Sequence, residues 1–139
     1  MKSNKFYEIL DHKADLKIKV FGKTKEELFK NAMNGMFKVA KYQKEAKSQK
    51  SKVKIKIFSF DLPSLLVDFL SEVLYLVETK KLVFENVKFK KFSENEIEAE
   101  LIGKPLKRMG VHIKGVTYHY LDIHQEKDGT WQATILFDI

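Results

Sequence analysis

The amino-acid sequence predicts an α+β fold, a two-layer sandwich in which two amphipathic helices pack on one face of a mixed or antiparallel β-sheet. Two segments repeat apolar residues at the helical period, and six others have the alternation or the flanking turns of strands. Elements with one apolar face each bury those faces most simply against one another. The 139 residues suffice for one domain, 1–139, with a core that needs no disulfide.

The first strand and the first helix follow each other closely. Segment 16–20 alternates apolar residues with lysines, as a half-buried strand does, and Gly22 ends it. Thr24 followed by Glu27 three residues later is typical of a capping box, so a helix is expected to begin there. One face of this helix carries the apolar residues Leu28, Phe29, Ala32, Met33, Met36, Phe37 and Ala40.

A second strand and a second helix come after the polar connector 42–51. Val53, Ile55 and Ile57 alternate with lysines, which predicts a strand exposed on one face. Asp61 is the expected N-cap of the helix, and Pro63 suits its first turn because no N–H is needed there. The apolar stripe is wide, so this helix should be the better buried: Leu62, Leu65, Leu66, Phe69, Leu70, Val73, Leu74 and Val77.

Four further strands complete the predicted order β-α-β-α-β-β-β-β. Segments 82–92 and 96–102 are joined by the turn-prone residues 93–95, and 115–124 and 130–138 form a hairpin around an Asp-Gly turn. The expected core includes Phe29, Phe37, Leu66, Phe69, Leu70 and Val116.

Composition restricts the chemistry that the chain can perform. It has no cysteine, and its six glycines form neither a G-x-G-x-x-G motif nor a Walker A loop, so we expect no nucleotide cradle. No G-x-S-x-G or H-E-x-x-H motif is present either. The start of the chain has no apolar signal segment and no apolar run is long enough to cross a bilayer, so we expect a cytoplasmic protein without membrane contact.

The chain carries a formal net charge of +7, which favours encounter with anionic partners. All but one of its 26 basic residues are lysines, whereas specific readers of nucleic acid are usually rich in arginine. We therefore favour a solvated face over an RNA contact for the densest stretch, Lys38, Lys41, Lys44, Lys47, Lys50, Lys52, Lys54 and Lys56.

A polar cluster in the seventh predicted element has two interpretations. Tyr118, Tyr120, Asp122 and His124 would share one face of a regular strand, which is compatible with a catalytic site. Packing against a helix or shielding of a half-exposed sheet is the simpler explanation, and we favour it.

Carboxylates near the two ends of the chain are the more informative feature. Asp11 and Asp15 precede the first alternating strand, and Asp138 stands beside the terminal Ile139. They could be turn residues and a solvated charge. If the first strand instead runs beside the last, Asp15, Asp138 and the terminal carboxylate would meet, and a hard cation such as calcium or magnesium would relieve their repulsion.

Four short motifs in the same order resemble the archease family. The segment 7–15, YEILDHKAD, is similar to the family's opening, which ends in Asp-His-Thr-Ala-Asp. The segment 65–76 is similar to its second helix, 116–119 matches Val-Thr-Tyr-His, and 137–139 matches the terminal Phe-Asp-Ile. The resemblance therefore spans nearly the whole chain.

This resemblance implies a non-enzymatic accessory protein with an α+β fold and a divalent-metal site. Asp15, Asp138 and Ile139 match the metal ligands, with Ca²⁺ expected or another divalent cation such as Mg²⁺, and His12 matches a residue to which we assign an orienting or packing role. The implied partner is the GTP-dependent RtcB-family RNA ligase of tRNA splicing and RNA repair, whose guanylylation and multiple turnover the family promotes. Contact with tRNA would be indirect, through the ligase, with at most a weak direct contact.

The sequence departs from the family pattern at two places. Lys13 replaces the usual threonine beside the site, and the segment 103–115 is shorter than the family's loop, which affects any partner contact made there.

Two other functions stay open. An RNA-binding module would use the lysine stretch with Tyr42, although this stretch lacks an aromatic stacking pair. A chaperone-like assistant of a tRNA-modifying enzyme is the second alternative, and a metal-dependent hydrolase is disfavoured because no base and nucleophile pair is evident.

Overall fold

The computed structural model describes residues 6–10 and 15–139, and within them it has two helices and eight strands. These are β1 (Tyr7–Leu10), β2 (Asp15–Gly22), α1 (Lys25–Val39), β3 (Gln43–Lys44), β4 (Ser51–Phe58), α2 (Leu62–Lys80), β5 (Leu82–Phe92), β6 (Glu96–Arg108), β7 (Gly115–Gln125) and β8 (Trp131–Asp138). The α+β class and both helices are confirmed. The short strands β1 and β3 were not predicted, and β6 continues six residues beyond its predicted end.

The described strands form two sheets rather than the single sheet expected from the sequence. The first has the order β1-β2-β8-β7; in the second, β6 pairs with β4, with β5 and, near its end, with β3. Each of these pairings is antiparallel. Both helices contact strands of both sheets. The ten buried side chains of α2 are covered by β7 of the first sheet and by β4, β5 and β6 of the second.

Buried side chains from both sheets and both helices form one contiguous core. Phe29 connects the layers, because its ring centroid lies 5.7 Å from that of Phe69 in α2 and 5.0 Å from that of Phe92 in β5. Five of the six predicted core residues are buried, whereas Val116 is only half-buried and packs against the edge of the cluster.

The two helix starts have the caps that the sequence predicts. Thr24 Oγ1 accepts a hydrogen bond from the Glu27 N–H at 3.0 Å, and Glu27 Oε1 accepts from the Lys23 N–H at 2.9 Å. The carboxylate of Asp61 likewise accepts from the Ser64 N–H at 2.9 Å, and this bond lowers the pKa of Asp61. These bonds satisfy donors that no helical carbonyl can reach, so both helix boundaries are defined by local chemistry.

Three of the eight lysines of the basic stretch, Lys52, Lys54 and Lys56, lie on the exposed face of β4. In the ladder between β4 and β6, Lys54 is opposite Glu100 and Lys56 is opposite Glu98. On the other side of β6, lysines of β5 are opposite the same two glutamates. Opposite charges at directly paired positions stabilise a sheet face, which favours the solvated-face interpretation of this segment. Within residues 6–10 and 15–139, no helix is long and apolar enough to span a membrane.

We predict that Thr24→Ala lowers the free energy of unfolding by about 1 kcal/mol, because the Glu27 N–H loses its acceptor at the start of α1. Thr24→Ser keeps a hydroxyl acceptor and should unfold at nearly the wild-type denaturant concentration. Urea unfolding followed by far-UV circular dichroism measures both variants. Equal stabilities of the alanine and serine variants would contradict the role of this cap.

Candidate functional site

The two predicted metal-binding aspartates lie directly opposite each other on neighbouring strands. Asp15 is the first residue of β2 and Asp138 the last of β8, and the antiparallel register pairs them. Side chains at such positions point to the same face of the sheet, with Cβ atoms roughly 4.5–5.5 Å apart. The structure therefore brings together two residues that are more than a hundred positions apart in the chain.

The alternation of buried residues directs both carboxylates away from the core. Ile18 and Val20 of β2 are fully buried, as are Ile135 and Phe137 of β8. The residues that alternate with these along each strand point to the other face of the sheet, where Asp138 is exposed and Asp15 is half-buried. The pair therefore lies on the outer face of the first sheet, and Asp138 is the more exposed of the two.

The donor chemistry of this position fits a hard cation. Two carboxylates at directly opposed positions repel each other, and a divalent cation would remove this repulsion. The main-chain oxygen of Ile139 follows Asp138 immediately. Asp11 and His12 lie outside the described residues. Within residues 6–10 and 15–139, no group of three or more His, Asp or Glu side chains is arranged to hold a metal. Any ion here would thus need main-chain, water or partner oxygens as well.

Consecutive residues of the segment before β7 are held by α2, by the connector between α1 and β3, and by β8. The imidazole Nε2 of His112 lies 2.7 Å from Glu78 Oε1 of α2. The Ile113 N–H donates to the hydroxyl of Tyr42 at 3.1 Å, and the Lys114 N–H donates to the Asp138 carbonyl at 2.7 Å. Burial raises the pKa of this tyrosine. The backbone beside Asp138 is thereby fixed, which sequence reasoning did not anticipate because all three bonds are non-local.

The shortened segment 103–115 is mostly not a loop. Its first six residues continue β6 to Arg108, and its last residue begins β7. Only the stretch 109–114 connects the two strands.

A bulge in β7 separates the polar residues that a regular strand would place on one face. The pairing with β8 shifts register between Thr117 and Asp122. Tyr118, which follows the last residue paired before the shift, lies near Asp68 of α2; partial desolvation and the negative charge of Asp68 raise its pKa. After the shift, Asp122 and His124 lie on the opposite face. The prediction that Tyr118 shares a face with His124 was wrong, because the bulge adds residues that change the alternation.

His124 is held between two carboxylates on the solvent side of β7. Its Nε2 lies 2.9 Å from Glu126 Oε1, and its Nδ1 lies 2.7 Å from Asp122 Oδ2. These hydrogen bonds, first to Glu126 and then to Asp122, raise the pKa of His124 above its ordinary value of 6.5. Both ring nitrogens are engaged, so this cluster is an ion-pair network on a strand surface rather than a catalytic arrangement.

We predict that His124 titrates above pH 6.5, and that the double variant Asp122→Asn/Glu126→Gln returns its pKa towards that value. Because the folded-state pKa is the higher one, the stabilising contribution is complete below about pH 6.5 and is lost as the pH rises through the folded value. An NMR titration of the imidazole protons measures both proteins. Identical titration curves would contradict the network.

A family model and several relatives match this chain over almost its whole length. The model of the archease protein family (MTH1598/TM1083) matches residues 7–139. The protein archease of Methanosarcina barkeri is 41% identical, with 97% of each chain covered. That of Pyrococcus furiosus is 33% identical over 96% of this chain and 98% of its own.

Solved structures agree with these sequence matches. The solution structure of Methanobacterium thermoautotrophicum protein 1598 has a TM-score of 0.69 and 27% identity, covering 97% of this chain and 99% of its own. The crystal structure of a Thermotoga maritima archease, described as a possible chaperone, has a TM-score of 0.70 and covers 94% of both chains. Its identity is 18%, so that likeness concerns the fold alone.

Proposed function

The chain belongs to the archease protein family, and from this membership we propose that it is a cytoplasmic accessory protein that activates a GTP-dependent RNA ligase of the RtcB family. The observation that carries the proposal is the register that places Asp15 opposite Asp138. These are two of the three positions at which the family resemblance implies metal ligands. Their adjacency supports one functional site, at the end of the first sheet where β2 begins and β8 ends.

Asp15, Asp138 and the main-chain oxygen of Ile139 would hold a divalent cation. Calcium suits this donor set better than magnesium, because calcium accepts six to eight oxygens in a flexible arrangement, whereas magnesium demands near-ideal octahedral geometry. A bound cation would supply positive charge that neutralises the carboxylate pair and leaves coordination positions for water or for a partner's oxygens. The protein's own contribution is to hold the two carboxylates on rigid neighbouring strands.

The covalent steps of ligation would belong to the ligase. This sequence offers no phosphate-cradling loop and no evident base and nucleophile pair, so the nucleotide, the nucleophile and the RNA ends are assigned to the partner. The role of the accessory protein is to stabilise a ligase conformation that is competent for guanylylation and for repeated turnover. This action is a population shift, which requires that the accessory protein bind one ligase conformation more tightly than the other.

A chaperone-like role is the second candidate, favoured by the description of the Thermotoga maritima protein as a possible chaperone. Direct RNA binding is less favoured, because two of the lysines that would contribute to it, Lys54 and Lys56, lie opposite glutamates of β6. The chaperone-like role and the activator role differ in a measurable way. A chaperone would suppress aggregation of unrelated proteins, whereas an activator acts on one ligase.

We predict that Asp138→Asn and Asp15→Asn each reduce the stimulation of multiple-turnover ligation at least about tenfold, as loss of a charged metal ligand should. Asparagine matches aspartate in shape, so the fold should persist. The matched control is Asp128→Asn in the hairpin turn at the far end of β8, where the side chain caps Thr130 and asparagine is equally suitable.

The assay is multiple-turnover joining of tRNA halves by the partner ligase at matched protein concentrations, with folding verified by circular dichroism. Equal stimulation by the wild type and both site variants would refute the assignment of the site. No stimulation by the wild type would refute the function itself.

A further inference from the structure

The longest uninterrupted free edge among the described strands belongs to β4. Within residues 6–10 and 15–139, β4 is hydrogen-bonded to β6 alone, and all eight of its residues pair without a register shift. The other strands with an unpaired edge are shorter or bulged: β1 has four residues, β3 has two, and the pairings of β5 and β7 shift register. The outward N–H and C=O groups of a regular edge can pair with a further strand.

A row of lysines lies on the solvent face of this edge. Lys52, Lys54 and Lys56 alternate along β4, and all three are exposed. In the part of the chain that the structure describes, none of their ammonium groups forms an ion pair with a carboxylate. Three successive cations are therefore available to the side chains of a strand that lies beside β4.

The neighbouring strands leave this lysine row with a surplus of positive charge. Lys54 is directly opposite Glu100, but Lys88 of β5 flanks the same glutamate from its other side. The adjacent row, through Glu98, repeats this pattern, so each glutamate lies between two lysines. An acidic residue on the free side of β4 would continue the alternation of charge and balance the row.

The opposite face of the same edge is apolar and incompletely covered. Ile55 is buried, whereas Val53 and Ile57 on either side of it are only half-buried and pack against the margin of the core. A strand added beside β4 would cover these two side chains with its own apolar residues. The two faces together therefore favour a strand in which acidic and apolar residues alternate.

A second copy of this chain and an RNA strand are poorer occupants of the edge. Directly opposed residues of paired strands share a face, so β4 paired with itself would place lysines opposite lysines, which is destabilising. RNA phosphates could contact the lysines, but RNA would leave Val53 and Ile57 uncovered and would not extend the main-chain ladder. An acidic protein segment satisfies all three features.

We propose that the free edge of β4 binds an extended segment of another protein in which acidic and apolar residues alternate. The segment pairs with the main chain of β4 as a further strand of the second sheet. Its carboxylates lie beside Lys52, Lys54 and Lys56, and its apolar side chains cover Val53 and Ile57. The carboxylate pair lies on the first sheet, so this inference goes beyond the proposed function and does not depend on it.

The probe is the synthetic peptide Glu-Val-Glu-Val-Glu-Val-Glu, blocked at both ends and labelled with a fluorophore. One control peptide has the same composition with all glutamates before all valines. Two others are N-methylated, either at every valine or at every glutamate. Because successive N–H groups of a strand point to opposite edges, only one of these two sets faces β4 when the peptide binds in one direction.

The double variant Lys54→Gln/Lys56→Gln removes two cations from the free edge. Its matched control is Lys88→Gln/Lys91→Gln, which removes two cations from the β5 side of the same two glutamates. Fluorescence anisotropy gives each Kd, and circular dichroism verifies folding. Amide chemical shifts measured by NMR locate the bound peptide, and light scattering gives the mass of the protein alone.

The expected result is that the alternating peptide binds the wild type at low salt and shifts amides mainly within 51–58. The β4 double variant should raise its Kd at least about fivefold, as loss of two cross-strand charge pairs does, whereas the β5 double variant should bind within about twofold of the wild type. The block-ordered peptide and one of the two methylated peptides should each bind at least about tenfold more weakly, because they cannot pair in register with β4.

Four results would overturn the inference. Absence of binding to the wild type would refute it outright, and equal Kd values for the two double variants would refute the role of the β4 lysines. If the block-ordered peptide and both methylated peptides bind like the alternating one, attraction is by charge alone and no strand is added. If instead an oligouridylate binds in place of the peptide, or the chain forms a dimer through β4, the edge has a different occupant.

Discussion

The antiparallel pairing of β2 with β8 is the interaction on which the rest of the structure depends. It joins the first long strand to the last, in register from Asp15 opposite Asp138 to Gly22 opposite Trp131. On the inner face this register places Ile18 opposite Ile135 in the core. A slip of one residue would turn those side chains to solvent and direct the aspartates inward, so burial of the apolar face fixes the position of the carboxylates.

The same pairing also determines what lies beside the carboxylates. β8 carries β7 on its other edge, so Gly115 stands opposite Asp138 and the Lys114 N–H reaches the Asp138 carbonyl. The first sheet thus presents the carboxylate pair on its outer face, while lysines and glutamates lie opposite each other on the second sheet.

Local chemistry made much of the fold predictable from the sequence. The caps at Thr24 and Asp61 define both helix starts, and the bounds of β5 agree with the prediction. β1 and β3 are too short for a periodic signal and exist because a long neighbour pairs with them. The bulge between Thr117 and Asp122 leaves no periodic pattern in the sequence, and no local pattern indicates that the two helices pack against two sheets. The adjacency of Asp15 and Asp138 was conditional on strand order, which no local pattern specifies, and the anchoring of residues 112–114 depends on non-local hydrogen bonds.

A crystal structure of the wild-type chain grown in calcium, with the ion located by its anomalous scattering, tests the central claim most directly. We predict an ion coordinated by oxygens of both Asp15 and Asp138, at about 2.3–2.6 Å, with a main-chain oxygen of Ile139 or water completing the shell. Well-ordered carboxylates with no ion between them at saturating calcium, or an ion bound elsewhere in the chain, would contradict the account.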